Sequence, residues 1–355
     1  MNLKNYNPGP TEVRPELLQA QARAMISHRG ADMHELMFRL LPRLKRLLNT
    51  EQHVILASCS ATGVMEGSVQ NLVADGGLLV LDCGAFSATW VAIAQSLGRH
   101  VDAIEVAWGQ GFEPDAVVAA LAKRRYDAVA ICHNETSTGV MNPVAELARS
   151  VREHSNALVI VDSVSSMAGV EIWFDRWQLD VCLAGVQKAF ALPPGLAVAA
   201  ISKRAMERAK QNPHRGYYHD FVRYLSYAEK GETPATPVLP LLYALDLQLE
   251  RIEAETMAAR AERHRAMARL CQDWARAHAR LFANERFLSP TVTNIDLAGK
   301  ADPAILRSRM RERGVVLGAG YGKLKPTCFR IGHMGDHTVH DVLKLLRDLD
   351  AALGA

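Results

Sequence analysis

Short apolar runs alternate with amphipathic stretches of helical length along most of the chain. Several of these runs are apolar at every position, which is typical of strands whose two faces are both buried. Strands of this kind alternating with helices predict an α/β fold, with a largely parallel central sheet covered by helices. The predicted strands are His53–Ala57, Leu78–Leu81, Ala128–Cys132, Ala157–Val161, Val181–Ala184 and Ala197–Ile201.

The beginning of the chain has a different pattern. Two prolines and a glycine lie within Asn7–Thr11, and these residue types interrupt both helices and central strands. We therefore expect residues 1–15 to form an irregular arm that lies on the rest of the molecule. Apolar positions at three- and four-residue spacing then predict amphipathic helices over Pro15–Met25 and His34–Leu48.

The last third of the chain predicts a second unit. The proline-containing segment Thr233–Pro237 is expected to end a large domain over residues 16–237. Residues 238–281 are rich in Ala, Leu, Glu and Arg and are predicted to form one long interdomain helix. Short strands and two helices over residues 282–355 predict a small α+β domain. The charged residues of the long helix are predicted to form a solvated face of mixed sign: Glu250, Arg251, Glu253, Arg260, Glu262, Arg263 and Arg269.

Charge and composition exclude several classes of protein. The net charge is +3, with basic residues scattered among acidic ones, so no nucleic-acid partner is expected. No apolar run reaches the ~18 residues of a membrane span, and Met1–Pro15 lacks the plan of a signal peptide. We therefore expect a cytoplasmic protein with no membrane contact. Six well-separated cysteines with no Cys-x-x-Cys favour free thiols over disulfides or a metal site.

Asp162 and Lys188 are the most informative pair of polar residues. Asp162 ends the run Ala157–Val161, and Lys188 follows the run Val181–Ala184. Ligands of open parallel sheets bind beyond the carboxyl ends of the strands, so both side chains are expected at one crevice. A lysine there can form a Schiff base, and a neighbouring carboxylate can keep a pyridinium nitrogen protonated. A turn-capping Asp and an exposed loop Lys are the alternatives for each residue taken alone.

Three further segments place polar or aromatic side chains after predicted strands. Ser58–Thr62 opens a helix with hydroxyl residues, which can hold a phosphate at the helix N-terminus but also simply cap helices. Phe86 follows the strand Leu78–Leu81, where its ring can stack on a planar ligand or pack into the core. His133–Gly139 places polar residues directly after a buried strand, which favours either a ligand or a hydrogen-bonded loop.

These segments, with several others, occur in the order found in one enzyme family. The chain resembles the class V aminotransferases over nearly its whole length, most closely the alanine–glyoxylate and serine–glyoxylate (serine–pyruvate) branch. The resemblance is carried by Asn7-Pro8-Gly9-Pro10-Thr11, Ser60-Ala61-Thr62 with Glu66, Glu135–Gly139, Val161–Val164, Gln187-Lys188 with Pro193–Gly195, Thr236-Pro237 and Phe329–Gly332.

The resemblance implies fold type I of the pyridoxal-phosphate enzymes and a homodimer with shared active sites. Lys188 would be the Schiff-base lysine, and Asp162 the partner of the pyridine nitrogen. Arg330 would bind the substrate α-carboxylate, since a guanidinium can form two parallel hydrogen bonds with it. The other implied cofactor-binding residues are Ser60, Ala61, Thr62 and Gln187 at the phosphate, Thr236 of the neighbouring subunit at the same phosphate, Phe86 stacked on the ring, Thr136 near the phenolic oxygen, and Val164.

The resemblance also implies the reaction. A transaminase would use pyridoxal 5′-phosphate to move an amino group from alanine or serine to glyoxylate or pyruvate. Phosphoserine aminotransferase is the alternative, because that enzyme has a His-Arg pair for the substrate phosphate where this chain has His28 and Arg29; Arg29 is thus a candidate substrate-binding residue. A catalytically altered protein of this fold is disfavoured by the presence of both Lys188 and Asp162. A nucleotide-binding protein is disfavoured because no Gly-x-Gly-x-x-Gly follows a predicted strand.

Overall fold

The structure, a computed structural model, describes residues 3–354. Its strands, numbered along the chain, are β1 (Lys4–Tyr6), β2 (His53–Ala57), β3 (Leu78–Asp82), β4 (Val101–Glu105), β5 (Ala128–Cys132), β6 (Asn134–Glu135), β7 (Val140–Met141), β8 (Leu158–Asp162), β9 (Val181–Gly185), β10 (Ala197–Ile201), β11 (Arg280–Leu281), β12 (Val292–Asp296), β13 (Val315–Ala319) and β14 (Cys328–Gly332). Its α-helices are α1 (Pro15–Ala20), α2 (Ala31–Leu48), α3 (Ala61–Leu72), α4 (Ser87–Ser96), α5 (Pro114–Leu121), α6 (Val144–His154), α7 (Lys203–Gln211), α8 (Phe221–Ala228), α9 (Leu239–Glu255), α10 (Met257–His278), α11 (Pro303–Glu312) and α12 (Val339–Leu353).

A seven-stranded sheet with the order β2-β10-β9-β8-β5-β3-β4 forms the centre of the larger unit. All its strands are parallel except β10, which runs antiparallel to both neighbours. Strands β5, β8, β9 and β10 are buried along their full lengths, as their apolar sequences predicted. The largely parallel α/β sheet is confirmed. Strand β4 was not predicted, because this half-exposed edge strand carries acidic residues, a common feature of sheet edges.

Helices cover both faces of this sheet. Helices α2, α5, α6 and α9 pack on one face, and α3, α4, α7 and α8 pack on the other. Successive residues of a strand point to opposite faces; in β8, Val159 and Val161 join the first layer while Leu158 and Ile160 join the second. With both faces covered, the edge where the parallel strands end is left for a ligand.

The arm expected over residues 1–15 is not irregular throughout. Residues Lys4–Tyr6 form strand β1, which pairs in parallel with β13 in a five-stranded sheet of order β1-β13-β14-β12-β11. The ring of Tyr6 is buried and stacks on His337 with 4.4 Å between centroids. Three residues are too few to show a strand periodicity in the sequence, and the pairing depends on a strand more than 300 positions away.

The prediction of a single helix over residues 238–281 is wrong. Helix α9 ends at Glu255 and α10 begins at Met257, while β11 occupies Arg280–Leu281. Thr256 between the helices has φ 68° and ψ 145°, angles that cannot continue a helix, and its hydroxyl accepts the Ala259 N–H at 3.2 Å as an N-cap. The sequence has no Gly or Pro at this point to signal the break.

Arg260 does not lie on the solvent-exposed face predicted for it. Its side chain is buried, and its guanidinium donates to the carbonyls of Ala168 and Ala189, both at 2.8 Å. It also forms ion pairs with Glu255 at 2.8 Å and Asp336 at 3.0 Å. Arg260 therefore links the large unit to the segment before α12, a role that mixed charge at helical spacing does not reveal.

Two properties of the described chain concern membranes and thiols. No helix within residues 3–354 combines the length and apolar character needed to cross a membrane. All six cysteines have free thiols, and five of them are buried, whereas Cys59 is partly exposed.

Arg260→Ala is expected to lower the free energy of unfolding by about 3 kcal/mol, because it removes one partner from buried ion pairs. Urea denaturation measures the change. Arg265→Ala is the matched control, since Arg265 lies on the same helix in an exposed pair with Glu262, and we expect it to change stability by less than about 1 kcal/mol. Equal decreases in the free energy of unfolding in the two variants would show that the buried ion pairs of Arg260 stabilise the protein no more than an exposed pair does.

Candidate active site

A cavity of about 390 Å³ lies at the carboxyl ends of the parallel strands, between the central sheet and the N-terminal arm. It brings together most of the site residues predicted from the sequence. The lining residues are Gly9, Pro10, Ser60, Ala61, Thr62, Met65, Phe86, Thr89, Asn134, Thr136, Asp162, Val164, Gln187, Lys188, Pro194 and Tyr321.

Lys188 lies in the turn after β9 with its side chain buried. Its Nζ donates to the carbonyl of Pro8 at 2.6 Å. Three successive carbonyls of this turn are held by other parts of the chain: that of Lys188 by the Thr11 hydroxyl, that of Ala189 by Arg260 and that of Phe190 by Gln248. The backbone that carries the amine is thus fixed by the arm, α10 and α9 together.

The Lys188 ammonium group loses its proton more readily than that of an ordinary lysine. Burial lowers its pKa from 10.5 to about 8, and the nearby charge of Arg330 contributes to the decrease, whereas Asp162 and Glu135 act in the opposite direction. A neutral amine is a base and a nucleophile, while an ammonium is neither. The site therefore makes a reactive amine available near neutral pH.

Asp162 is the last residue of β8 and is buried. Its Oδ1 accepts the N–H of Val164 at 2.9 Å, and no residue within 3–354 donates to its Oδ2. Burial raises the pKa of this carboxyl to about 7, and the Val164 N–H and Lys188 offset part of that rise. A buried carboxylate with one free oxygen favours a cationic N–H donor in front of it.

The N-terminus of α3 faces the same cavity. Ser60 is its N-cap residue, and the Ser60 side chain does not cap the helix. The Ala61 and Thr62 N–H groups of the first turn therefore remain for a ligand, together with the Ser60 and Thr62 hydroxyls. Gln187 adds a side-chain amide to the cavity wall. Unpaired N–H groups and the helix dipole make this a suitable place for a phosphate.

Phe86 and Thr136 form part of the cavity wall. The centroid of the Phe86 ring lies 5.9 Å from Lys188 Nζ. Thr136 forms a hydrogen bond with the hydroxyl of Ser165. Tyr321 was missed by sequence reasoning; its ring lies 5.0 Å from that of Phe86. The only signal was a Tyr between two glycines in the loop that joins β13 to β14, too weak to assign a role.

Arg330 on β14 lies behind Tyr321 and is not itself one of the residues that line the cavity. Its guanidinium carbon is 5.4 Å from the centroid of the Tyr321 ring. Its Nη1 donates to the Thr136 carbonyl at 3.0 Å and its Nε to the Ala319 carbonyl at 2.8 Å. Burial lowers its pKa to about 10, so it stays charged at neutral pH. Nη2 has no hydrogen-bond partner within the described chain, which leaves one donor group for a carboxylate.

Arg29 and Thr236 do not reach the cavity of their own chain. Arg29 pairs with Glu232 at 2.6 Å and donates to the carbonyl of Thr233 at 2.8 Å. Thr236 is exposed. For Thr236 this agrees with the sequence analysis, which assigned it to the site of the neighbouring subunit, and that assignment stays a prediction. For Arg29, a contact with the substrate likewise stays a prediction.

A larger groove of about 570 Å³ lies between α6 and α10. It is lined by two tryptophans, Trp173 and Trp177, and by the buried His133, but contains neither Lys188 nor Asp162. The smaller cavity is therefore the candidate active site, because it combines an amine, a carboxylate and a free helix N-terminus.

In protein without added ligand, the Lys188 amine is expected to become reactive around pH 8. Trace acetylation followed by mass spectrometry of the Lys188 peptide measures this midpoint, with the exposed Lys203 as a reference for the reagent. Because the Asp162 carboxylate raises the pKa of Lys188, Asp162→Asn is expected to move the midpoint to lower pH. A midpoint that is unchanged or higher in this variant would contradict the electrostatic coupling of the two groups.

Comparison with known proteins identifies the family of the chain. The family model "Aminotransferase class-V" matches residues 12–339. The chain is 34% identical to the "Soluble hydrogenase, small subunit" of Synechococcus, with 98% of this chain and 91% of that one covered. It is 31% identical to the serine–glyoxylate aminotransferase of Methylorubrum extorquens, with 93% and 86% covered. The solved structure of an alanine–glyoxylate aminotransferase from Nostoc matches with a TM-score of 0.94 at 27% identity, covering 99% and 96%. The chain thus belongs to the class V aminotransferases and has the fold of the pyridoxal-phosphate enzymes of fold type I.

Proposed function

We propose that this enzyme is a pyridoxal-phosphate transaminase that moves the amino group of alanine or serine to glyoxylate or pyruvate. The observation that carries the proposal is the pair of Lys188 and Asp162 in one buried cavity that also receives the free N-terminus of α3. A binding protein has no need of an amine held near its neutral form. A catalytically altered protein of this fold is disfavoured for this reason.

The chemistry of the cavity matches three groups of pyridoxal phosphate. Lys188 offers an amine to the aldehyde, and the free oxygen of Asp162 suits the ring nitrogen. The first-turn N–H groups at Ala61 and Thr62 suit the phosphate. When bound, this cofactor withdraws electrons from the substrate Cα and so stabilises negative charge there. The donor and acceptor types present therefore fit the cofactor.

We assign the remaining cofactor contacts to side chains that line the cavity. Ser60 and Gln187 add donors for the phosphate, Phe86 supplies an aromatic face for the ring, and Thr136 and Val164 lie on the wall beside Asp162. An ionised Asp162 is unfavourable in this buried position without a cation, so a protonated ring nitrogen and this carboxylate stabilise each other.

Lys188 is the general base of the proposed reaction. Its lowered pKa leaves a large fraction of the amine neutral near pH 8. Nζ would then take the proton from the substrate Cα and return it two atoms further along, to the carbon on the far side of the amino nitrogen. The carbonyl of Pro8 accepts a hydrogen bond from Nζ at 2.6 Å, which orients the amine between these steps. The fixed backbone of the turn keeps Nζ within the cavity.

Arg330 and Tyr321 define the proposed substrate. The guanidinium of Arg330 supplies a free Nη2 to the α-carboxylate, the group that all amino acids share. The ring of Tyr321 lies between Arg330 and Phe86 and takes up space that a long substrate side chain would need. A small side chain fits this arrangement, in line with the serine–glyoxylate and alanine–glyoxylate relatives.

The position of Arg29 favours small amino acids over phosphoserine. A phosphate with a charge of about −1.5 to −2 needs a further cation beside Arg330. Arg29 is already paired with Glu232 at 2.6 Å, so its charge is offset within its own chain, whichever copy's active site it lies near. The main effect of Arg29 is then to hold the segment Thr233–Pro237, whose first carbonyl it binds.

We further propose that two copies of the chain share their active sites. A continuous set of stacked side chains leads from the exposed Tyr217 through Arg223 and Tyr227 to Arg29, with guanidinium-to-ring distances of 4.0, 5.8 and 4.9 Å. Arg29 then contacts the segment that carries the exposed Thr236. Exposed aromatic rings of this kind are typical of protein contacts, and a second copy would receive Thr236 at its phosphate.

A panel of amino donors tests the proposed reaction. Alanine, serine, aspartate and phosphoserine are each offered with glyoxylate, pyruvate or 2-oxoglutarate, and kcat/KM is measured. We expect alanine or serine with glyoxylate or pyruvate to give the highest values. Lys188→Ala is expected to fold and to have no activity, because no other amine lines the cavity. A preference for phosphoserine would overturn the proposed substrate, and full activity of Lys188→Ala would overturn the mechanism.

Co-expression of two inactive variants tests the shared site. Lys188→Ala and Thr236→Val are each expected to be impaired alone. If Thr236 acts across the interface, a mixed dimer has one site with both residues intact, so about a quarter of the wild-type sites return. If Thr236 acts within its own chain, no site regains both residues and activity does not return.

A further inference from the structure

Glu135 is a buried carboxylate that the proposed reaction does not use. It is the last residue of the short strand β6, is fully buried and does not line the cavity. Its Oε2 accepts the N–H groups of Ser87 at 2.9 Å and Phe86 at 3.1 Å, while its Oε1 accepts the N–H of Ser137 at 3.0 Å and the Ser137 hydroxyl at 2.6 Å. Burying a charged carboxylate without hydrogen-bond partners costs free energy. These donor groups supply the partners and so offset that cost.

These hydrogen bonds connect two loops that reach the cavity. One loop carries Phe86 at the N-terminus of α4, and the other carries Thr136 beside Ser137. The Ser137 hydroxyl also accepts the N–H of Ala85 at 3.1 Å. The carboxylate sits where the helix dipole favours a negative charge, and its two oxygens divide between the loops. Glu135 thus fixes the distance between the aromatic wall and the Thr136 loop.

The packing around Glu135 leaves no room for adjustment. A Cβ atom added to Gly84 would lie 2.6 Å from both the carboxyl carbon of Glu135 and the Ser137 hydroxyl. The loop of Thr136 also binds Arg330, whose Nη1 donates to the Thr136 carbonyl. A displacement of Glu135 would therefore also shift Phe86 on the cavity wall and Arg330.

We propose that Glu135 is a positioning residue that holds Phe86 and the Thr136–Arg330 pair at the spacing required for the cofactor and the substrate carboxylate. The inference rests on the proposed function. Glu135→Gln keeps the size of the side chain but turns an acceptor into a donor that faces N–H groups. It should loosen both loops at once.

The test compares cofactor binding in three proteins: wild type, Glu135→Gln and the control Asp82→Asn. Asp82 accepts hydrogen bonds from the Ser87 hydroxyl and the Gly84 N–H in the same turn. The Ser87 hydroxyl also lies 3.2 Å from Glu135 Oε2, but Asp82 itself forms no hydrogen bond with residues 136–139. Equilibrium dialysis gives the Kd of pyridoxal phosphate, and visible circular dichroism per bound cofactor reports the asymmetry of its surroundings. We expect Glu135→Gln to raise Kd about tenfold, as the loss of one charge-assisted hydrogen bond would, and to weaken the dichroism. Asp82→Asn should change both by less than about twofold.

If Glu135→Gln does not fold, the variant Ser137→Ala tests the positioning role of Glu135 instead. It removes one donor to Glu135 and leaves the charge in place, so the same changes are expected with smaller size. Unchanged dichroism and Kd in Glu135→Gln, or in Ser137→Ala where that variant is decisive, would overturn the inference. Equal changes in Asp82→Asn would also overturn it, since they would show a general loosening of the turn. Wild-type protein that binds no pyridoxal phosphate would instead refute the proposed function.

Discussion

Burial of the Lys188 amine beside the Asp162 carboxylate is the constraint on which the rest of the site depends. Each group is unfavourable in its charged form in this environment, as the lowered pKa of one and the raised pKa of the other show. Two further charges, Glu135 and Arg330, lie close enough to affect that balance. The protein compensates by holding the surrounding backbone in fixed positions, because a displaced carbonyl or N–H would leave a buried group without a partner.

Features that depend on local pattern and on the geometry of a parallel sheet are predicted best from the sequence. The pattern predicts Lys188 and Asp162 at one crevice because each comes after a recognisable strand, and parallel strands end at the same edge. Phe86 also follows a strand, but there the pattern left packing into the core open, and only the family resemblance implied a contact with the cofactor. The arrangement of Tyr321 and Pro8 could not be predicted, since each reaches the cavity from a distant loop or arm. Their positions depend on long-range packing that a single sequence does not reveal.

The same distinction explains the errors along the second half of the chain. Helical periodicity runs through Thr256 without a breaking residue, so the change of direction between α9 and α10 has no local signal. Arg260 has the same residue type and spacing as its exposed neighbours. It is buried because the carbonyls of Ala168 and Ala189, which lie outside the strands of the central sheet, need a donor there. Such a need is visible only in the folded molecule.

The pairing of β1 with β13 has a mechanical consequence. Residues Lys4–Tyr6 belong to the smaller sheet, while Pro8 and Thr11 hold the amine and the carbonyl of Lys188. One residue separates Tyr6 from Pro8, and a single residue spans at most about 3.5 Å. The arm is therefore a short tether without slack. Any rotation of the smaller sheet, which carries Arg330, would be transmitted through this tether to Lys188.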